Sequence, residues 1–195
     1  MVGLIDKEEQ VTRSQISDAG LDLFLLGGWP TELGGSYYLQ TQFNKKEGTV
    51  PEVNLENEKK LQDLLISLIE TRKIRAAHDL SEGGLLVCLT EMLFAKNELG
   101  GSFSIFTGNH SVRLDALLFG ESQGRVVVAT NPENINELQD AAKHAGVEID
   151  SLGKANDSGN LEVTVNGKEI LSSKVSELRS LWENAIPEHM ESSSR

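Results

Sequence analysis

Residues 78–84 combine side chains and glycines that could bind a phosphate group and its divalent cation. The run contains Asp79 and Ser81 and ends in Gly83 and Gly84. A short strand-like stretch precedes it and an apolar helical stretch follows it, which places the run at the N-terminus of a helix. A helix N-terminus exposes free N–H groups and favours an anion, and glycines let a ligand approach the backbone. The pattern predicts a phosphate site, with Asp79 as a magnesium ligand and Ser81 as a phosphate or ribose contact.

The same residues also allow a purely structural interpretation. Asp79 could cap the helix, and Glu82, three residues later, would then complete a capping box without any ligand. His78 and Asp79 are neighbours in the sequence, so on a strand their side chains would point to opposite faces. A serine–histidine–aspartate triad is therefore not expected, while the ligand site and the capping box both stay open.

Two further polar runs could add contacts to a ligand. Glu121, Ser122 and Gln123 precede a valine-rich strand and could meet a ligand at the end of a sheet. In a plain turn, Glu121 and Arg125 would instead be surface charges. Residues 32–36, Glu-Leu-Gly-Gly-Ser, could form a backbone nest for an anion, or only a glycine turn after a strand.

Several other motifs are missing from the sequence. No P-loop is present, and no G-x-G-x-x-G run follows a strand. His110, His144 and His189 have no spacing that would pair them as metal ligands on a helix. Cys88 is the single cysteine, which excludes an internal disulfide and a cysteine-rich zinc site. It lies among leucines, so it is predicted to be a core residue rather than a nucleophile.

The composition indicates an acidic protein of ordinary domain size. The chain has 195 residues, 30 acidic against 18 basic, and a formal net charge of -12. This charge opposes binding to nucleic acid or to an anionic membrane, so a bound phosphate must be held by local groups. No apolar stretch approaches the roughly 18 residues of a membrane helix, and we expect a cytoplasmic protein. The strand-like residues 2–5 begin abruptly, as though the chain were cut from something longer.

Strands and helices alternate in the predicted order of elements. Short apolar runs closed by turn residues predict the strands, and apolar residues at helical spacing predict the helices. The predicted strands are 21–28, 74–77, 101–106, 125–130, 147–152, 161–165 and 168–171, and the predicted helices are 54–73, 83–95, 131–146 and one that starts near residue 175. Asn166 and Gly167 predict a hairpin turn. Residues 40–51 are rich in polar residues and glycine, and they are predicted to form an exposed, mobile loop. This alternation predicts an α/β or α+β sheet that is covered by helices.

Three runs together resemble the phosphoribosylformylglycinamidine synthase family. They are residues 78–84 (His-Asp-Leu-Ser-Glu-Gly-Gly), 118–125 (Leu-Phe-Gly-Glu-Ser-Gln-Gly-Arg) and 32–36. The resemblance extends over nearly the whole chain, from residues 2–5 to residues 182–187. It implies the α/β half of the second of two duplicated modules, a half that is shared with aminoimidazole ribonucleotide synthetase and selenophosphate synthetase.

The resemblance implies a fold and a division of the chain. The fold would be a three-layer α/β/α sandwich with partial likeness to a ferredoxin-like topology. Residues 1–187 would form the AIR-synthase-related C-terminal domain, and residues 188–195 would be a polar tail. The chain ends shortly after Pro187, and on this resemblance we expect the glutaminase to be a separate polypeptide.

The resemblance also implies roles for single residues. Asp79 would be the magnesium ligand, and Ser81 a nucleotide contact beside the backbone of Gly83 and Gly84. The triplet Glu121, Ser122 and Gln123 would match the substrate-contacting Glu-Ser-Gln of the first module, or hold a structural nucleotide in an auxiliary site. The family's catalytic histidine and lysine would lie upstream, so no catalytic residue is assigned and the isolated chain is expected to be inactive.

The implied reaction is the ATP-dependent conversion of formylglycinamide ribonucleotide and glutamine to formylglycinamidine ribonucleotide in purine biosynthesis. The implied cofactors are ATP or ADP and Mg²⁺, and the implied partners are the N-terminal domains, a glutaminase subunit and a small accessory subunit. One alternative is the matching domain of aminoimidazole ribonucleotide synthetase, selenophosphate synthetase or thiamine-phosphate kinase. The other is a non-catalytic structural module whose helix merely packs on a neighbouring domain.

Overall fold

Seven strands form one mixed sheet in the computed structural model, which describes residues 4–5, 7–30, 32–96, 99–108 and 112–192. The strands are β1 (Asp22–Leu26), β2 (Ala76–Asp79), β3 (Gly100–Ile105), β4 (Val126–Thr130), β5 (Ile149–Asn156), β6 (Asn160–Val165) and β7 (Lys168–Lys174). Their order across the sheet is β2-β4-β1-β5-β3-β6-β7. Within the described residues, β3 and β6 are parallel and the other neighbouring strands are antiparallel.

Helices cover both faces of this sheet. They are α1 (Tyr37–Phe43), α2 (Leu55–Glu70), α3 (Gly84–Met92), α4 (Leu114–Phe119), α5 (Ile135–Ala145) and α6 (Val175–Ser192), and short 3-10 turns lie at Glu8–Gln10 and Pro132–Asn134. One apolar cluster joins the sheet to α3 and α4, and a second joins it to α2 and α5. Strand β1 alternates between them, because Leu23 and Leu25 belong to the first cluster and Phe24 and Leu26 to the second. The predicted layered α/β fold is confirmed.

The ends of several elements follow the local signals in the sequence. The side chain of Asn54 caps α2 by accepting hydrogen bonds from the N–H groups of Glu56 and Asn57. Helix α5 ends at Gly146, which has a φ of 68°. Asn166 and Gly167 have φ values of 49° and 79° and form the predicted hairpin turn between β6 and β7.

Other parts of the chain differ from the prediction. Helix α1 occupies the start of the loop predicted for residues 40–51, and α4 was not predicted at all. Helix α6 continues to Ser192, so the described part of the predicted tail is helical. Leu4 and Ile5 belong to no strand, and residues 2–3 and 193–195 lie outside the described residues. The division at residue 187 stays a prediction. Across the described chain, no helix is long and apolar enough to cross a membrane.

Candidate functional site

The junction between β2 and α3 depends on two glycines. Gly83 is the N-cap of α3 with a φ of 83°, and Gly84 follows with a φ of 66°. A Cβ atom on Gly84 would lie 2.7 Å from the carbonyl oxygen of Gly120, and one on Gly83 would lie 2.5 Å from a methyl of Val87. The positive φ values and the close approach of the 120 turn therefore both require glycine here.

The predicted capping pair, Asp79 and Glu82, does not cap this helix. Asp79 belongs to β2, four residues before the N-cap at Gly83, and its side chain is 76% exposed. The cap at Gly83 has no side-chain hydrogen bond. The capping box of Asp79 and Glu82 is therefore excluded, because the helix begins later than the sequence pattern indicated.

The carboxylate of Glu121 connects its own turn to residues 78–84 and to Tyr37, which directly follows residues 32–36. Its Oε1 atom accepts hydrogen bonds from the N–H of Gly83 at 2.8 Å and from the N–H of Tyr37 at 3.0 Å. The N–H of Gly84 donates to the carbonyl oxygen of Ser81 at 3.2 Å. The backbone N–H groups of both glycines are thus engaged within the protein, and Glu121 supplies an anion at Gly83.

Arg125 holds the turn that carries Glu121. It is only 4% exposed, and its guanidinium donates to the carbonyl oxygens of Gly120 at 2.7 Å and of Ser122 at 3.0 Å. Burial lowers the pKa of Arg125 to about 10. Within the described residues, the third guanidinium nitrogen and the buried hydroxyl of Ser122 have no hydrogen-bond partner. The plain-turn interpretation, in which Arg125 would be a surface charge, was wrong for this residue, because two turn carbonyls bind the guanidinium inside the protein.

A cavity of about 200 Å³ lies beside the end of β2. Asp79, Ser81 and Gln123 line it together with Glu58 in the first turn of α2 and with Arg125. The structure therefore brings together two of the predicted runs. Glu58 was not selected as a site residue from the sequence. An acidic residue in the first turn of a helix is already explained by its favourable interaction with the helix dipole.

A second cavity, of about 380 Å³, adjoins Gly83 on the side of α1. Tyr37, Tyr38, Val87 and Phe119 are among the residues that line it. The rings of Tyr38 and Phe119 are stacked, with centroids 4.8 Å apart and planes 8° apart. Sequence reasoning missed these aromatic residues, because neither α1 nor α4 was predicted as a helix.

His78 faces away from the first cavity. Its Nε2 atom lies 3.1 Å from a carboxylate oxygen of Glu91 on α3, and its Nδ1 atom lies 2.8 Å from the backbone oxygen of Asp79. The other carboxylate oxygen of Glu91 accepts a hydrogen bond from the indole of Trp182 at 2.9 Å. His78 thus links β2 to α3, and its Nδ1 atom also lies 3.7 Å from a carboxylate oxygen of Asp79. No hydrogen bond in the described part of the chain joins the hydroxyl of Ser81 to His78, so no Ser81–His78–Asp79 relay forms.

Two further predictions concern residues 32–36 and Cys88, which do not line the first cavity. Residues 32–36 are a glycine turn, in which the hydroxyl of Ser36 caps α1 by accepting from the N–H of Leu39 at 3.4 Å. Cys88 is buried in the core as predicted, and burial, with added repulsion from the charges of Asp79 and Glu91, raises the pKa of its thiol. A buried thiol of this kind is a poor nucleophile.

The carboxylates near the cavity do not form a complete protein-only metal site. Among the described residues, no group of three or more His, Cys, Asp or Glu side chains is arranged to hold a metal ion. Asp79 and Glu58 nevertheless supply hard oxygen atoms to one cavity. Mg²⁺ is commonly held by one or two carboxylates, several waters and substrate phosphates, so this donor set fits such a shared site.

The chain is similar to known proteins over most of its length. The model of the family described as AIR synthase related protein, C-terminal domain, matches residues 18–166. The phosphoribosylformylglycinamidine synthase subunit PurL from Alkaliphilus metalliredigens is 35% identical over 193 residues, which are 98% of this chain and 25% of that protein. The PurL subunit from Carboxydothermus hydrogenoformans is 37% identical over 187 residues, 95% of this chain and 25% of that protein. This chain therefore spans about a quarter of the length of the curated relatives it matches.

Solved structures share the fold. Thermotoga maritima PurL complexed with ATP matches 87% of this chain and 27% of its own, with a TM-score of 0.69 and 20% identity. The same protein complexed with FGAR matches 88% of this chain and 30% of its own, with a TM-score of 0.72 and 20% identity. The structure of PurLQS from Thermotoga maritima matches 87% of this chain and 27% of its own, with a TM-score of 0.70 and 19% identity.

Proposed function

This chain belongs to the family of AIR synthase related proteins, whose C-terminal domain it matches, and on that premise we propose that it forms one wall of a nucleotide cleft in a phosphoribosylformylglycinamidine synthase. The observation that carries the proposal is the shared cavity of Asp79, Ser81 and Gln123, which brings together two separate runs of the sequence. Its exposed carboxylate, hydroxyl and amide suit a metal-bound phosphate and a ribose.

The proposed reaction of the whole enzyme is the ATP-dependent conversion of formylglycinamide ribonucleotide to formylglycinamidine ribonucleotide, with ammonia from glutamine. The PurL complexes with ATP and with FGAR support this assignment. The cofactors would be ATP or ADP and Mg²⁺. This chain would bind and orient the nucleotide rather than supply an acid, base or nucleophile, since Cys88 is buried and His78 is turned toward Glu91.

Magnesium would be held on the side of the cavity that Asp79 lines. Asp79 would be a direct ligand, and Glu58, which lines the same cavity, would contribute through a water. The bound ion would neutralise phosphate charge, which a domain with a formal net charge of -12 cannot do by its overall field.

The glycines and Glu121 would have a different part in the site. Because Glu121 already accepts from the N–H of Gly83, this N–H becomes available to a ligand only when the carboxylate turns away. We therefore assign direct nucleotide contact to Ser81 and Gln123 first. Gly83 and Gly84 would allow the 120 turn to pack against the start of α3 beside the ligand, and Glu121 and Ser122 would shape that turn.

The proposed partners are the N-terminal domains of the same enzyme, a glutaminase subunit and a small accessory subunit, and the proposed location is the cytoplasm. The similarity to PurLQS supports additional subunits. Exposed aromatic side chains close to Gly83, including Tyr37 at 53% exposure, offer a surface for a neighbouring domain. Nucleic acid and membrane remain unexpected partners because of the acidic charge.

A chimeric enzyme tests this function. The chain would replace the matching quarter of the Carboxydothermus hydrogenoformans PurL subunit, and product formation would be measured with ATP, Mg²⁺, formylglycinamide ribonucleotide and ammonium. We expect turnover by the chimera and none by the chain alone. Turnover by the chain alone would contradict the one-wall assignment. A folded chimera that binds no nucleotide, while the unmodified relative does, would favour the structural-module alternative.

A further inference from the structure

Three arginines meet at a pocket far from the candidate nucleotide site. Arg13, Arg72 and Arg75 line a cavity of about 270 Å³, which we call the arginine pocket. Arg75 immediately precedes β2, whereas Asp79 ends it, and four extended residues span about 13 Å. The arginine pocket therefore lies at the opposite end of β2 from the cavity of Asp79 and Ser81.

The rest of the lining suits an anionic ligand with a small apolar part. Thr12, Gln15 and Ser17 contribute hydroxyl and amide groups, and the apolar remainder consists of Val11, Ile69 and Ile74. None of the nine lining residues, all within the described part of the chain, is acidic. The protein has 30 acidic and 18 basic residues, yet three of the nine residues that line this pocket are arginines.

The backbone fixes the positions of these arginines. Arg13 pairs with Ala76 at the outer edge of β2, and its carbonyl oxygen accepts from the N–H of Ala77 at 3.0 Å. The N–H of Arg75 donates to the carbonyl oxygen of Ala129 at 2.7 Å. Arg72 and Arg75 both lie in the short connection between α2 and β2, and the fold brings Arg13 to them from a distant segment of the chain.

Arg72 occupies a position that usually carries glycine. It lies just after the end of α2 with a φ of 57°, and left-handed residues after a helix are mostly glycine or asparagine. Attraction to the negative end of α2 explains a basic residue at this point. It does not explain Arg13, which enters from a different segment.

The carboxylate of Asp18 lies near Arg75. A carboxylate oxygen of Asp18 is 3.9 Å from the guanidinium of Arg75, and its other oxygen is 3.7 Å from the ammonium of Lys96. Asp18 also accepts a 2.6 Å hydrogen bond from the hydroxyl of Ser17. Asp18 is thus shared between Arg75, Lys96 and Ser17.

We propose that the arginine pocket binds a phosphate or diphosphate group of a small molecule, at a site separate from the nucleotide cleft. Arginine forks match phosphate oxygens in pairs, and the side-chain amide of Gln15 offers a further donor. The concave shape and the apolar lining favour a small ligand over an extended acidic segment of a protein. The proposal does not depend on the proposed synthase function.

Titration with inorganic pyrophosphate tests the proposal. The ¹⁵N-labelled 195-residue chain would be titrated at constant ionic strength, without magnesium, and the amide shifts mapped by NMR. We expect saturable shifts centred on Thr12, Arg13, Ser17 and Arg75. Shifts centred on Ser81 and Gly83, or shifts that are scattered and do not saturate, would overturn the assignment.

Matched charge variants provide the control. Arg13→Gln and Arg75→Gln should each weaken pyrophosphate binding at least fivefold, while Lys59→Gln, in the exposed pair with Asp63 on α2, should change it less than twofold. NMR spectra with unchanged dispersion would show that each variant is folded. An equal loss of pyrophosphate affinity in Lys59→Gln would show that net charge, and not the arginine pocket, determines binding. Tighter binding of a hexaglutamate peptide than of pyrophosphate would replace the proposal with a protein docking surface.

Discussion

Glu121 and Gly83 are joined by a 2.8 Å hydrogen bond from the backbone N–H of Gly83 to the carboxylate of Glu121. The same carboxylate oxygen accepts from the N–H of Tyr37 at the start of α1. The entrance to α3 therefore already holds an anion, supplied by the protein itself. This arrangement fixes the turn around residue 121 against two helix ends and leaves Asp79 and Ser81 as the exposed ligand groups.

The Glu121 carboxylate should stabilise the folded state. Glu121→Ala leaves two backbone N–H groups without their acceptor, so the free energy of unfolding should fall by about 1–3 kcal/mol, the usual loss for a hydrogen bond to a charged group. Glu121→Gln keeps one acceptor oxygen, so its free energy of unfolding should fall by less. Urea denaturation measures both, with Glu52→Ala in an exposed loop as the control for removing one charge. Equal stability of Glu121→Ala and Glu52→Ala would contradict the bridging role.

Arg125 and Glu121 should be energetically coupled. Arg125 holds the carbonyl oxygens of Gly120 and Ser122, on either side of Glu121, so loss of the guanidinium releases the same turn. Arg125→Lys cannot reproduce the planar fork and should destabilise the protein by about 1–3 kcal/mol. In a double-mutant cycle with Glu121→Gln, the combined loss should differ from the sum by at least about 0.5 kcal/mol. Strict additivity would show that the two side chains act independently.

Local signals account for the elements that the sequence predicted well. Each of these signals involves residues that are close together in the sequence. They are the cap at Asn54, the stripe of Leu61, Leu64 and Leu68 on α2, and the Asn166–Gly167 turn. Helix α1 escaped prediction because none of its residues is buried, so it has no apolar stripe. The six-residue helix α4 is too short to show a clear period.

The candidate site was predictable only in part, for a related reason. The sequence indicated Asp79, Ser81 and Gln123 as polar groups next to strand ends, and the structure places them on one cavity. It did not indicate that Arg125 is buried, or that Glu121 would reach Gly83 across 38 positions of the chain. Such contacts depend on the pairing of β2 with β4, which local patterns do not determine.

The thiol of Cys88 should be unreactive in the folded protein. Its pKa is raised by burial, so the thiolate fraction at pH 8 is very small, and the side chain is only 2% exposed. Labelling with a thiol reagent should be slow in buffer and fast in urea. Rapid labelling of the folded chain, without unfolding, would contradict the packing of α3.

The same thiol should make stability fall at alkaline pH. Below about pH 9 both the folded and the unfolded thiol are protonated, so Cys88 adds no pH dependence. Above this pH the unfolded thiol loses its proton while the folded one keeps it, which favours unfolding. Between pH 8 and pH 10 the wild-type chain should lose about 1 kcal/mol more than Cys88→Ala, as measured by urea denaturation. Parallel pH profiles for the two proteins would show that the folded thiol titrates normally.

Asp79→Asn and Ser81→Ala separate ligand binding from structure. Both side chains are exposed and neither caps α3, so the free energy of unfolding should change by less than about 0.5 kcal/mol in each variant. In the chimeric PurL enzyme, Asp79→Asn should weaken magnesium-dependent nucleotide binding by about 1–3 kcal/mol, because a charged oxygen ligand is lost. Ser81→Ala should weaken it less, and nucleotide binding without Mg²⁺ should be insensitive to Asp79→Asn. Calorimetric titration with and without Mg²⁺ measures these affinities. Unchanged affinity in both variants would remove Asp79 and Ser81 from the nucleotide site.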